Sequence, residues 1–316
     1  VSPDVTTCSA ASATLAEPLA ATAAVAPTWL LIEQPGPWGA KALRASHLNA
    51  AVGRDLERLT DGSGVRPALI RRPGRHADLH RPTRHRVLLA HTAPHDPWIR
   101  TAWLDDPAEL TALDFAALGA GTHDGWGTPY VGPPLALVCT NGRRDRCCAV
   151  QGRPLADELA RSGGNDVWEV THLGGHRFAP TMLVLPHGYA YGRVDGHHAK
   201  DVLTAVAAGR VVLTGCRGRS AWERPGQAAD LAVRDLTGEE RADALSVGPA
   251  EPLTPDTWSV PVRHRDGRAW RVAVTRTVSE PPRPESCGAA LGTPARMEVT
   301  GVEPVAGAAE VPPRAR

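Results

Sequence analysis

Apolar positions along this chain follow two periods, and the switches between them outline its elements. TWLLIEQ (28–34) reads as a strand that Pro35, Gly36, Pro37 and Gly39 break. SHLNAAVGRDLERL then puts Leu48, Val52, Leu56 and Leu59 on one face, predicting a helix with Ser46 as its N-cap. VRPALIRR (65–72), HRVLLAH (85–91) and PWIRTAWL (97–104) are expected strands, and 106–118 a helix with proline in its first turn. The glycine-rich GAGTHDGWGTPYVGPP separates this half from the next. There, PLALVC (134–139), DVWEV (166–170), TMLVLP (181–186) and YAYGRV (189–194) read as strands, the last two joined by a turn at His187-Gly188. GRPLADELARS (152–162) reads as a helix, as does HHAKDVLTAVAAG (197–209), which closes at Gly209.

The fold class is therefore α/β. The second half runs β-α-β-β-β-α, the order of the thioredoxin fold, and PTMLVLPHGYAYGRV resembles the third and fourth thioredoxin strands. Pro180-Thr181 stands where those proteins place a cis-proline and a threonine. The thioredoxin CxxC is missing, and a longer loop between Cys139 and Cys148 takes its place. The first half repeats the order weakly, as a degenerate copy. Beyond residue 240, TWSVPVRH, a turn at Asp266-Gly267 and AWRVAVTRTV suit a hairpin with one buried face, and the tail from Pro281 is expected to be loosely held.

Composition narrows the function classes. At 316 residues the chain can bury a large core without disulfides, and a net charge of +1 gives no global nucleic-acid footprint. Lys41 and Lys200 are the only lysines among 35 basic residues, a skew that coding bias also produces. The alanine-rich start lacks the basic region of an export signal, and no run reaches the length of a membrane span. A soluble cytoplasmic protein is expected. Six cysteines, three of them within ten positions, point to metal or redox chemistry rather than to a disulfide scaffold.

The candidate chemistry is Cys139 and Cys148, with eight residues between them, followed by His172 and His176. Two thiolates and two imidazoles suit zinc, copper or iron. The histidine spacing fits a structural zinc site, but the cysteine spacing is wider than C-x2–4-C, leaving room for something larger than one ion. Gly174 and Gly175 disfavour a helix between the histidines and place both on a loop. A phosphate cradle would need arginine six positions after Cys139, where Asp145 stands. Thiol–disulfide exchange through Cys147 or Cys148 is a further alternative.

LVCTNGRRDRCCA, VWEVTHLGGHRFAPT, YGRV, GCRGRS and the early EQPGPWGAKAL closely resemble the sucrase/ferredoxin-like family. The resemblance implies a 2Fe-2S cluster on Cys139, Cys148, His172 and His176, in a thioredoxin-like ferredoxin domain. Asn141 stands where many members carry histidine. The implied function is one-electron transfer with an unidentified redox partner protein, at a raised, pH-dependent potential, with no nucleic acid and no membrane involved. The chain then divides into a flexible arm (1–26), a degenerate thioredoxin-like domain (27–125), the ferredoxin domain (130–240) and a β-rich hairpin unit with its tail (241–316). Paired carboxylates for sugar hydrolysis and a GxGxxG nucleotide loop in βαβ context are not evident.

Residues expected around the cluster are Arg143, Arg144, Arg146 and Arg177, which offset charge or dock an acidic partner, or sit on a solvated loop. Cys147 is expected as a packed thiol or substitute ligand, Trp168 as a shield or core residue, Pro180 beside the site, and Cys216 as a structural cysteine within possible reach. Cys8 and Cys287 read as plain thiols, and His76, His80 and His85 as part of a solvated loop. The readings that compete with an electron carrier are a structural Cys2His2 zinc module and a thiol–disulfide oxidoreductase.

Overall fold

The structure is a computed structural model and describes residues 7–74 and 83–305; His76 and His80 lie outside the described residues. The chain begins with α1 (Cys8–Thr14), capped by the Thr7 side chain, then β1 (Thr28–Glu33) and α2 (Ala50–Thr60). Asn49, not Ser46, caps α2, because the Ser46 hydroxyl is engaged by the Leu48 N–H one turn earlier. Next come β2 (Val65–Arg71), β3 (His85–His91) and β4 (Trp98–Leu104). The helix expected over 106–118 divides into a 3-10 turn, Pro107–Ala112, and α3 (Phe115–Gly119), because Asp114 caps a new helix start.

The two-residue β5 (Thr128–Pro129) leads to β6 (Leu135–Cys139) and then α4 (Arg146–Ser162). After α4 come β7 (Asp166–Val170), β8 (Thr181–Leu185), β9 (Tyr189–Gly192) and α5 (Gly196–Ala207). β10 (Cys216–Arg219) and α6 (Arg224–Thr237) follow. The C-terminal strands are β11 (Leu245–Val247), β12 (Glu251–Thr254), β13 (Thr257–His264), β14 (Ala269–Val278), β15 (Arg283–Pro284), β16 (Leu291–Gly292) and β17 (Ala295–Pro304).

Ten strands form one mixed sheet in the order β10-β9-β8-β6-β7-β2-β1-β3-β4-β5. β1 runs parallel to β2 and antiparallel to β3, which pairs antiparallel with β4. β6 runs parallel to β7 and antiparallel to β8, which pairs antiparallel with β9. The chain thus makes the same walk through four strands twice. The two walks meet at an antiparallel seam, Ile70 opposite Val170 and Arg71 opposite Glu169.

Side-chain alternation assigns the two faces. Leu155 and Leu159 of α4 and Val202, Leu203 and Val206 of α5 cover Ala136, Val138, Met182 and Val184. Val52 and Leu56 of α2, with Phe115 and Leu118 of α3, cover Leu30, Ile32, Leu69 and Leu89 in the same way. The opposite face carries Trp29, Leu31, Ile70, Leu137, Cys139, Trp168 and Val170. Ala23 and Ala26 of the N-terminal segment pack there, and the segment bonds to β10 from Thr22 N to Arg217 O (3.1 Å) and from Ala26 N to Ser220 O (2.7 Å). The expected flexible arm is therefore, over 7–26, a packed segment whose small side chains fit close against the sheet.

A second sheet, β11-β13-β14-β17 with β12 beside β13, buries Val260, Val262, Trp270, Val272 and Val274 against Ala228, Ala229 and Val233 of α6. β17 pairs with β14 from Val278–Ala295 to Trp270–Pro304, so the chain from 281 to 305 is tied down rather than loose. No helix among the described residues is long and apolar enough to cross a membrane.

The seam holds a buried ion pair. Arg71 Nε and Nη2 lie 2.8 and 2.7 Å from Glu169 Oε2, and the Thr140 hydroxyl donates to the same oxygen at 2.8 Å. Removing one member of such a pair strands the other charge in the core. Arg71→Met is expected to cost about 3–5 kcal/mol, measured as the change in free energy of urea unfolding.

Candidate metal centre

β6 ends on Cys139, one residue before the chain turns. Asn141 O accepts from Arg144 N (3.1 Å) and Asp145 N (3.2 Å), and the Asp145 carboxylate then caps α4 by accepting from Cys147 N at 2.9 Å. The wide loop read from the sequence is thus a tight turn followed at once by a helical turn carrying Cys147 and Cys148. Gly152 fixes the approach of this helix: a β-carbon there would stand 2.1 Å from the Cys139 carbonyl oxygen.

The histidines lie on the loop after β7. His172 O accepts from Arg66 Nη2 at 3.0 Å, and Gly174 O accepts from Arg217 Nη1 at 3.0 Å. Gly174 and Gly175 have φ of +85° and +70°, and His176–Phe178 closes the loop as a 3-10 turn. The Ala179–Pro180 peptide, just before β8, is cis.

Ligand atoms of Cys139, Cys148 and His172 all lie within 4.8 Å of one another. The His176 ring is 5.1 Å from the His172 ring, centroid to centroid, and its Nε2 is 3.7 Å from Asp145 Oδ2. Nδ1 of both histidines is buried without a hydrogen-bond partner. Such atoms are costly unless something completes them. Cys139 is held well below the ordinary thiol range, chiefly by a hydrogen bond from the Cys148 thiol and further by His172, against the opposing effect of burial. The same bond pushes Cys148 up. Burial lowers the His176 pKa more than Asp145 raises it, which keeps the ring neutral and able to ligate.

One buried and one half-buried guanidinium, Arg217 and Arg66, frame this group, and the sequence did not single out either. Arg217 is 1% exposed, and burial, followed by repulsion from Arg177, brings it down to about 9. Arg66, lowered by burial, sits where the Cys139 charge opposes that shift. Both lie within strands, Arg66 before Pro67 in β2 and Arg217 before Gly218 in β10, and nothing in their spacing marks them as neighbours of the cysteines.

The remaining expected neighbours are placed variously. Trp168 is buried on the same sheet face as Cys139 and Cys148, with the Arg72 guanidinium 3.7 Å from its ring centroid. Arg143, Arg144 and Arg146 are exposed. Arg177 pairs with Glu17 (2.9 Å) and Glu285 (3.0 Å), from the two ends of the chain. Cys216 is buried with the helix-covered core on the other face, where burial pushes its thiol up to about 12. Cys147 turns away from Cys148 into a second group with Cys8, Asp145 and Cys287. Its thiol is brought down to about 5, first by a hydrogen bond from Cys8 and then by Ser9. Cys8 and Cys287, read as plain thiols, belong to this second group, and only the tertiary fold joins them.

A family model described as Sucrase/ferredoxin-like matches residues 19–218, from the N-terminal segment into β10. No curated protein and no solved structure matches the chain.

The histidine loop allows a paired test. Alanine at Gly174 or Gly175 meets the same left-handed backbone cost, about 1–2 kcal/mol. A β-carbon at Gly174 touches nothing within 4 Å, whereas at Gly175 it would stand 2.2 Å from Arg217 Nη2. Gly175→Ala is therefore expected to lose roughly 1–3 kcal/mol more than Gly174→Ala when the two are compared by urea unfolding.

Proposed function

This chain belongs to the sucrase/ferredoxin-like family, and from that premise we propose that it is an iron–sulfur electron carrier holding a 2Fe-2S cluster on Cys139, Cys148, His172 and His176. The observation that carries the proposal is the convergence of two buried thiols and the His172 imidazole, with the His176 ring 5.1 Å from that of His172 and each ring leaving a buried Nδ1 unsatisfied. Soft thiolates and neutral imidazoles are the donors that iron–sulfur centres take. When bound, such a cluster takes up and returns a single electron.

The chain's own residues set the conditions for that exchange. Neutral imidazole in place of thiolate removes negative charge from the ligand set, which favours the reduced state and raises the potential above that of an all-cysteine site. Half-buried Arg66 and buried Arg217 act in the same direction, as positive charges on the backbone of the histidine loop. Trp168 and the neighbouring apolar side chains exclude water from the Cys139 side. Exposed Arg143, Arg144 and Arg146 give the cysteine turn a basic surface for an acidic redox partner protein.

The reading extends to the architecture and setting. Both halves of the large sheet are taken as thioredoxin-like, the second (130–240) as the ferredoxin domain and the first (27–125) as its degenerate copy. Their shared strand order supports this. Six cysteines, none in a disulfide, suit a reducing compartment such as the cytoplasm.

Anaerobically purified protein is expected to be red-brown, to contain iron and acid-labile sulfide, and to bleach with dithionite. A colourless protein without iron, whose zinc is lost in Cys139→Ser, would instead support a structural Cys2His2 zinc module. His172→Cys and His176→Cys are expected to keep the colour, change the visible spectrum and lower the midpoint potential; an unaltered spectrum would remove those residues from the ligand set. The reduced centre carries more negative charge, so a ligand imidazole holds its proton more tightly in that state. Potentiometry should therefore show a potential that falls as pH rises, by about 59 mV per unit where one proton accompanies the electron. A flat, strongly negative profile is the contrary result.

A further inference from the structure

Cys8, Cys147, Cys287 and Asp145 form a second cluster that the electron-transfer reading does not use. Cys8 opens α1, Cys147 lies in the first turn of α4, Asp145 caps that helix, and Cys287 lies between β15 and β16. Their atoms are close: Cys8 Sγ is 3.7 Å from Cys147 Sγ and 3.6 Å from Cys287 Sγ. Cys147 and Cys287 are 3.2 Å apart, and Cys8 Sγ lies 3.7 Å from both carboxylate oxygens of Asp145. Cys8, Cys147 and Asp145 are buried, at 0%, 2% and 4% exposure.

We propose that these four residues are a mononuclear, structural zinc site. Tetrahedral zinc with Zn–S bonds near 2.3 Å and a Zn–O bond near 2.0 Å sets sulfur–sulfur edges of about 3.8 Å and sulfur–oxygen edges of about 3.5 Å. Two of the three sulfur–sulfur distances and both distances from Cys8 Sγ to the Asp145 oxygens are within a few tenths of an ångström of those edges. The third is shorter, and an ion at the centre would spread it. A disulfide does not account for the cluster: its sulfurs stand about 2.05 Å apart, and three mutually close thiols leave one over. A polynuclear cluster spreads its thiolates over several irons and needs wider spacing.

The donor set selects the metal. Three thiolates exclude calcium and magnesium, and the carboxylate disfavours copper(I), whereas zinc accepts sulfur and oxygen together. The carboxylate is also held in place, since Asp145 Oδ1 accepts from Cys147 N (2.9 Å) and Oδ2 from Cys287 N (2.8 Å). Both N–H groups belong to residues that supply sulfur ligands. The ligating Cys147 sulfur further accepts from the Ser9 hydroxyl at 3.2 Å, and Gln151 holds that hydroxyl at 2.7 Å. Such outer hydrogen bonds orient ligands at zinc sites.

Four protein ligands leave no open position, so the site is structural. It joins three segments, since 139 residues separate Cys8 from Cys147 and 140 separate Cys147 from Cys287. Closing loops of that size restricts the unfolded chain strongly. The zinc would sit beside the proposed cluster: Asp145 also lies 3.7 Å from His176 Nε2, and Cys147 adjoins Cys148.

The test is metal analysis of the full chain, purified anaerobically without chelators, for zinc, iron and sulfide together. Wild type is expected to carry stoichiometric zinc. Cys8→Ser and Cys287→Ser are expected to reduce zinc to background while iron, sulfide and the visible spectrum stay unchanged. Wild-type protein without zinc, whether its three thiols react freely with an alkylating agent or are found as a disulfide, overturns the proposal. So does zinc that persists in Cys287→Ser and is lost in Cys139→Ser. Should the variants not fold, titration of native wild type with a mercurial, followed by a chromogenic zinc chelator, gives the same reading. Zinc released as Cys8, Cys147 and Cys287 are modified supports the site, and zinc released without their modification refutes it. Zinc without iron would leave this site standing and remove the electron carrier; iron without zinc would do the reverse.

Discussion

The second turn of α4 rests on the Cys139 carbonyl with no room for a side chain at Gly152, and this contact holds the start of the helix against β6. A bulkier residue would lift the helix from β6 and carry Cys148 away from Cys139. Asp145 caps the turn before it and sets where Cys147 emerges. Adjacent helical residues point about 100° apart around the axis. Cys148 therefore joins the strand cysteine and the histidine loop, while Cys147 joins the two ends of the chain. One helical turn thus divides a vicinal pair between two centres, which also weakens any reading of Cys147 and Cys148 as a redox couple.

Much of the sheet was legible because its strands are continuous apolar runs bounded by glycine and proline, and their positions lie close to those expected. The start of α4 was not. Gly152 and Pro154 look like helix-start signals, and the charged RDRCC before them has no apolar period, so the helix was expected to begin at 152 rather than at Arg146. The true cap is Asp145, which in the sequence served only to argue against a phosphate loop, since it stands where that cradle needs arginine. Cys139, Cys148, His172 and His176 stood out because they are local pairs of soft donors, the histidines at zinc-like spacing and the cysteines in a wider loop. Cys8 and Cys287 did not, since contacts across 279 residues leave no periodic trace. The packed N-terminal segment was hidden for another reason: alanine carries little pattern, yet it is the side chain that fits where a chain segment lies close against a sheet.

The preference for arginine over lysine, discounted in the sequence, acquires a physical role in the core. Arg217, Arg219 and Arg234 are at most 1% exposed, and each guanidinium meets several acceptors at once. Arg219 reaches Thr92 O (2.7 Å) and Ala242 O (2.9 Å), and Arg234 holds Asp230 (3.1 Å) and the carbonyls of Glu239, Arg241 and Ala242. A planar group with five donors satisfies scattered carbonyls in a way that a single ammonium cannot. Arg219 and Arg234 tie β10 and α6 to the 239–242 segment that leads into the second sheet, and Arg217 carries the same device to the histidine loop.

Both ends of the chain return to that loop. Glu17 from the N-terminal segment pairs with Arg177 and, at 3.1 Å, with Arg283, while Glu285 pairs with Arg177 from the C-terminal side. Cys8 and Cys287 meet a few residues away. Arg177 is therefore occupied in joining these two segments, whereas Arg143, Arg144 and Arg146 on the cysteine turn are exposed. On the proposed reading, joining these segments over the histidine loop would restrict water there, and in a drier site each charge acts more strongly on its neighbours. Ligand identity alone would then not determine the electron affinity of the site. It would also depend on how firmly two distant stretches of sequence are fastened across it, and the Cys8–Cys147–Cys287–Asp145 cluster lies where that fastening is made.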